Sequence, residues 1–152
     1  MKLKRVQVGE HWITLQGEKE IISLTYYTST VSLDIDGHAV WLYRNSPLRI
    51  EYLLNLALEN YQKARALAQL LQHPNVGGVS ETEELLSLWI RGEYKFFWRR
   101  LLKNLRRKLE MPTVTRTLKS LNLKLFKKEL PRELKEELEN LKLQCFFKEV
   151  TR

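Results

Sequence analysis

The 152-residue chain holds a single cysteine, Cys145, and no apolar run near the ~20 residues that a membrane-spanning helix needs. One thiol has no partner within the chain. An internal disulfide framework is therefore excluded, and so is a zinc cage built from cysteines. A reducing compartment, the cytoplasm, is the simplest expectation. The charged start, residues 1–5, is not followed by a signal-peptide core. Six glycines and four prolines are too few for a collagen-like or Pro/Gly-rich disordered chain. The histidines His11, His38 and His73 show no ligand-like spacing. No phosphate loop, dinucleotide glycine fingerprint or nucleophile elbow is present. No cofactor and no metal site are therefore expected.

What remains is ordinary globular material, 43% hydrophobic and 29% charged. The length suits one domain spanning 1–152, with a sizeable core. The expected class is α+β: an N-terminal antiparallel meander of four or five short strands over 1–45, then three or four helices over 46–152. Five runs rich in β-branched and aromatic residues carry the meander: 5–8, 11–15, 20–27, 30–35 and 38–43. Asp36-Gly37 is a two-residue hairpin signal, because a type I′ turn needs positive φ at both positions. Val31, Leu33 and Ile35 alternate with Ser32 and Asp34, so one face of that strand is buried and one wet.

Ser46-Pro47 reads as a helix cap followed by proline at the first helical position. Apolar residues then recur at three and four from Ile50 to Leu71, predicting one helix to about Gln72. The stretch 73–78 breaks it, and a hinge is placed at 76–80. Ser80 with Glu83 spells a capping box. A second helix is expected from Glu81 towards Glu110, with Leu85, Leu88, Trp89, Phe96, Phe97, Leu101, Leu102, Leu105 and Leu109 as its apolar side and Gly92 as a weak point. Residues 113–128 fit either strand or helix periodicity, and helix is preferred. Pro131 opens a last helix, whose end at 145–150 reads equally as helix or strand.

The net charge of +8 is unevenly spread: residues 91–128 hold thirteen Lys/Arg against two Glu. On one continuous helix Arg91, Lys95, Arg99, Lys103 and Arg106 form a single stripe, flanked by Arg100 and Arg107. Phosphates along a nucleic-acid backbone call for such an array, because Lys and Arg displace condensed counterions. The expectation is a non-enzymatic nucleic-acid-binding protein, helped by Lys124, Lys127 and Lys128, with Arg116 the candidate for a base or groove contact. Residues 113–121 resemble the recognition helix of helix-turn-helix regulators, with short hydroxyls and an arginine at a helix start. The plainer alternative is an ordinary helix start on which threonines serve backbone donors. Trp12, Tyr26, Tyr27, Trp41 and Tyr43 could stack on unpaired bases if exposed.

Competing readings stand beside this one. The basic face could be merely solvated, on a helical module that assembles into a homodimer. It could also meet an anionic membrane surface or an acidic protein. A metal-dependent nuclease would need Asp34 and Asp36 as paired carboxylates, although Asp-Gly also belongs at a hairpin tip.

Overall fold

The structure is a computed structural model that describes residues 1–72 and 78–150, with side chains as far as Phe147. The chain divides after Ser87 into two compact units, Met1–Ser87 and Leu88–Arg152. The fold is α+β, as expected, with a five-stranded antiparallel sheet followed by six α-helices among the described residues. The helix count exceeds the three or four anticipated, because two of the expected helices are each broken once.

The first unit is built on β1 (Arg5–Val8), β2 (Trp12–Gln16), β3 (Ile21–Tyr26), β4 (Thr30–Ile35) and β5 (His38–Tyr43), ordered as a simple meander. Asp36 and Gly37 take φ of 53° and 86°, as the hairpin signal requires, and Asp34 Oδ1 accepts the Gly37 N–H at 2.8 Å. Alternation sends one set of side chains inward. Ile22 lies opposite Ile35, Leu24 opposite Leu33, Leu33 opposite Val40, and Val31 opposite Leu42. All of them are buried. The cover comes from α1 (Pro47–Glu59) and α2 (Tyr61–Leu71), with α2 lying against β4 and β5.

The single helix expected over 47–72 is interrupted at Asn60, which leaves helical geometry at φ −144°. Its side chain accepts the Lys63 N–H and so caps α2. Apolar spacing continues across the break and conceals it. Pro47 does open α1, but the Ser46 hydroxyl makes no cap. It donates instead to Glu83 Oε1 at 2.5 Å, which also accepts the Tyr43 N–H at 3.0 Å. Helix α3 (Val79–Ile90) begins one residue before Ser80, whose hydroxyl meets that of Tyr43 at 2.6 Å. The capping box is therefore not formed. Buried Glu83 is worth more as the tie between the end of β5 and the start of α1 than as a local cap. Of the break and hinge expected near 73–80, residues 73–77 lie outside the described residues.

The second unit contains the end of α3, then α4 (Tyr94–Arg107), α5 (Pro112–Ser120), a 3₁₀ turn (Leu123–Phe126) and α6 (Arg132–Val150). The helix expected over 81–110 stops at Gly92, which takes φ 75°. Gly92 N–H bonds to Trp89 O and Glu93 N–H to Leu88 O, the paired closure of a Schellman motif. A core of rings follows. Trp89, Phe97, Trp98 and Phe126 are buried and meet edge to face, with Trp89 and Phe97 centroids 4.9 Å apart. The Trp98 indole donates to Glu129 O at 2.9 Å. Residues 113–128 are helical only to Ser120; Asn122 then caps the 3₁₀ turn through Lys124 N–H. The last helix continues through the buried Cys145, so the segment 145–150 is helix rather than strand. Among the described residues no helix is long and apolar enough to cross a membrane.

Candidate nucleic-acid interface

Charge divides where the fold divides. Leu88–Arg152 carries eighteen Lys/Arg against eight Asp/Glu, whereas Met1–Ser87 carries eight against ten. Within the basic unit α4 is the most strongly amphipathic element. Phe97, Trp98, Leu101, Leu102, Asn104 and Leu105 are buried along one side. Lys95, Phe96, Arg99, Lys103, Arg106 and Arg107 are exposed along the other, and Arg100 is half-buried.

The stripe read from the sequence is kept only in part. Arg91 precedes α4, in the turn that Gly92 makes, and its guanidinium is held by Glu93 at 2.9 and 3.1 Å. Two carboxylates of α6 reach α4: Glu133 lies 3.7 Å from Lys95 Nζ, and Glu137 lies 3.2 Å from Arg106. Taking Lys95 as the origin around α4, Arg106 stands ~20° on, Arg99 ~40°, Lys103 ~80° and Arg107 ~120°. Helix α6 thus matches the cations of one margin. Among the described residues, Arg99, Lys103 and Arg107 make no ion pair. Exposed pairs such as those of Lys95 and Arg106 are worth about 0–1 kcal/mol, so they compete with an incoming phosphate without locking either side chain.

Phe96 is 59% exposed, between Lys103 and Arg107 around the helix. The sequence reading placed it with the core residues. The apolar side read from the sequence contains Phe96 and Phe97 but not Trp98, whereas the structure buries Phe97 and Trp98 and exposes Phe96.

Arg116 projects from α5 into solvent, while Val114, Thr117 and Leu118 are buried. Three α5 hydroxyls are spent locally: Thr117 Oγ1 donates to Thr113 O at 2.9 Å, Thr115 Oγ1 to Leu109 O at 3.2 Å and Ser120 Oγ to Thr117 O at 3.2 Å. Met111 occupies the cap position without a side-chain bond, so no threonine caps this helix. Lys124, Lys127 and Lys128 are exposed, on the 3₁₀ turn and just after it rather than on α4. Lys124 and Lys127 border a separate groove together with Lys135 and Lys142 of α6.

The first unit contributes a different surface. Trp12, Tyr27, Trp41 and Tyr43 are all exposed. Trp12 pairs with Thr25, Thr25 with Ser32 and Ser32 with Trp41, so two indoles stand at the ends of one cross-strand row with short hydroxyl residues between them. The Tyr27 and Trp41 rings are 5.3 Å apart. A Cβ on Gly9 would fall 2.1 Å from Trp12 Nε1, so this glycine lets the indole rest on the β1–β2 turn. Tyr26 shares the face of Val31 rather than that of Trp41, and Arg44 lies over its ring at 5.6 Å.

Asp34 serves the hairpin turn, and Asp36 binds Arg65 of α2 at 2.6 Å. Among the described residues, no three His, Cys, Asp or Glu side chains come together as metal ligands. Comparison with family models, with curated proteins and with solved structures finds no match to this chain.

Proposed function

We propose that this protein binds nucleic acid without enzymatic chemistry, through the phosphate backbone. Arg99, Lys103 and Arg107 are its central contacts. Lys95, Arg100 and Arg106 add to them at the margins of α4, and Arg91, Arg116, Lys124, Lys127 and Lys128 supply a wider positive field. One observation carries the reading: three cations with no carboxylate partner among the described residues share the solvent face of α4, beside an exposed phenylalanine, in a unit with a large positive excess. Ammonium and guanidinium groups held this way release condensed counterions when phosphates take their place. Backbone-led contacts confer little sequence preference. The exposed rings of the sheet, which offer π faces to unpaired bases, favour single strands among the targets.

The test is a filter-binding series with labelled DNA and RNA at low salt. Combined reversal of Arg99, Lys103 and Arg107 to Glu is expected to weaken binding at least a hundredfold with the circular dichroism unchanged. Lys19→Glu, on the acidic unit, serves as the control. Unaltered affinity in the triple variant would reject the proposal. Self-association is a second reading, favoured by the exposure of Leu143, Phe146 and Phe147 on α6. A tight dimer by light scattering that ignores DNA and RNA would select it.

A further inference from the structure

Helix α6 has two unlike sides. Glu133 and Glu137 point to α4. On the side turned away from them, Lys135, Glu139 and Lys142 form one wall of a groove of about 920 Å³, and Leu143 and Phe146 line it beside them. The opposite wall comes from the chain between Leu121 and Leu130. Its floor is apolar, and two of the residues that make it, Leu143 and Phe146, are 52% and 47% exposed. Side chains of that kind are ordinarily withdrawn from water, and a contiguous exposed set marks a binding surface.

The arrangement of charge identifies the occupant. Four lysines border the groove against one carboxylate, Glu139. They are split between the walls, with Lys124 and Lys127 on one and Lys135 and Lys142 on the other. On α6 the two lysines are seven residues apart, about 10 Å along the axis. Lys142 Nζ also donates to Leu121 O, which joins the walls and leaves two of its three donors for a ligand. A single-headed anionic amphiphile would need cations at one end only. Cations spread along both walls match carboxylates spread along both flanks of a ligand. From Lys135 to Phe146 the groove follows α6 for about 16 Å, or three helical turns. That length accommodates the i to i+7 span of a docked helix, about 10 Å.

We propose that this groove docks an acidic amphipathic helix of a partner protein, with apolar side chains at i, i+3, i+4 and i+7 on the floor and Asp or Glu facing the two lysine walls. The site is distinct from the α4 face, and it stands or falls without it.

The probe is a labelled 18-residue peptide with leucines at that spacing and glutamates on both flanks, followed by fluorescence anisotropy with the full chain. A scrambled peptide of equal composition is the comparison. The ordered peptide is expected to bind at least tenfold tighter than the scrambled one. Leu143→Ser with Phe146→Ser, both exposed positions, should remove that advantage while melting is unchanged. Lys127→Glu with Lys135→Glu should weaken binding tenfold or more, most steeply at low salt. Equal binding of the two peptides, or indifference to both variants, overturns the proposal. So does saturable dodecanoate binding without peptide binding, which would assign the groove to an amphiphile. A dimer abolished by the serine variant and blocking the peptide would assign it to a second copy. Displacement of the peptide by an oligonucleotide that the α4 triple variant still binds would assign its lysines to phosphates.

Discussion

Tyr61 joins the first turn of α2 to the sheet through one hydroxyl, which lies 3.3 Å from both Ile21 N and Ile21 O. It accepts from the former and donates to the latter. Only 8% of the residue is exposed, and this burial pushes the hydroxyl above its ordinary value of 10.0; Asp36 and Glu20 push the same way, while the Ile21 bond and Arg65 oppose them. A raised acid holds its proton more tightly in the folded state. Its contribution to stability is complete below pH 10 and is lost as pH rises through the folded value. In urea titrations at a series of pH values, Tyr61→Phe should start about 1 kcal/mol lower at neutral pH, for want of the hydrogen bonds. The gap to the parent chain should then narrow above pH 10. A constant gap would show that Tyr61 ionises alike in both states. Glu83 makes the same point about side chains that act at a distance along the chain. Its Oε2 lies 3.1 Å from Arg49 Nε, whose N–H is directed to Ser87 Oγ at 2.8 Å, so that contact is ionic rather than a hydrogen bond.

Helix breaks decide what the basic region presents. A continuous helix over 81–110 would have carried Arg91 in line with Lys95 and Arg99. The left-handed turn at Gly92 removes it from the line and hands it to Glu93. Nothing lies within 4 Å of a Cβ built at Gly92, so substitution there meets only the backbone penalty of positive φ. Gly92→Ala should cost about 1–2 kcal/mol by urea denaturation, and Gly92→Asn clearly less, because asparagine tolerates this region. Equal costs for the two would mean that the turn relaxes on substitution. Asn60 acts by a different device, capping α2 with its side chain at the point where α1 ends.

Across the whole molecule, ion pairing sets how many cations are available to a polyanion. Were all eleven residues of the expected set free to meet phosphates, the logarithm of affinity would fall with the logarithm of salt with a slope near −10 on duplex DNA. Among the described residues, the α4 face and α5 offer four cations without an ion pair, Arg99, Lys103, Arg107 and Arg116, and Lys124, Lys127 and Lys128 make none either. On duplex DNA a slope of about −3.6 is expected from α4 and α5 alone, steepening to about −6.3 where the three lysines also meet phosphates. Glu133→Gln with Glu137→Gln, which frees Lys95 and Arg106, should steepen it by almost two. A slope that ignores this change would place the phosphates away from α4. The acidic excess of Met1–Ser87 limits the attraction to one part of the chain, and it falls away over a Debye length of about 8–10 Å.

Local chemistry determined a good deal by itself. Strand alternation, Asp36-Gly37 and Pro47 specify the meander, its hairpin and the start of α1, since each acts within a few residues of where it stands. The concentration of cations in 91–128 is likewise a property of sequence. Tertiary structure decided which of them remain available. The partners of Lys95 and Arg106 lie more than thirty residues further along the chain, on a helix whose own periodicity says nothing of what it faces. It also decided that Ser46 bonds to Glu83 and Ser80 to Tyr43 rather than capping helices, and that Phe96 is exposed while Phe97 and Trp98 form the core. A buried carboxylate gains more from several distant donors than from one local cap, and helical periodicity repeats across a break without registering it.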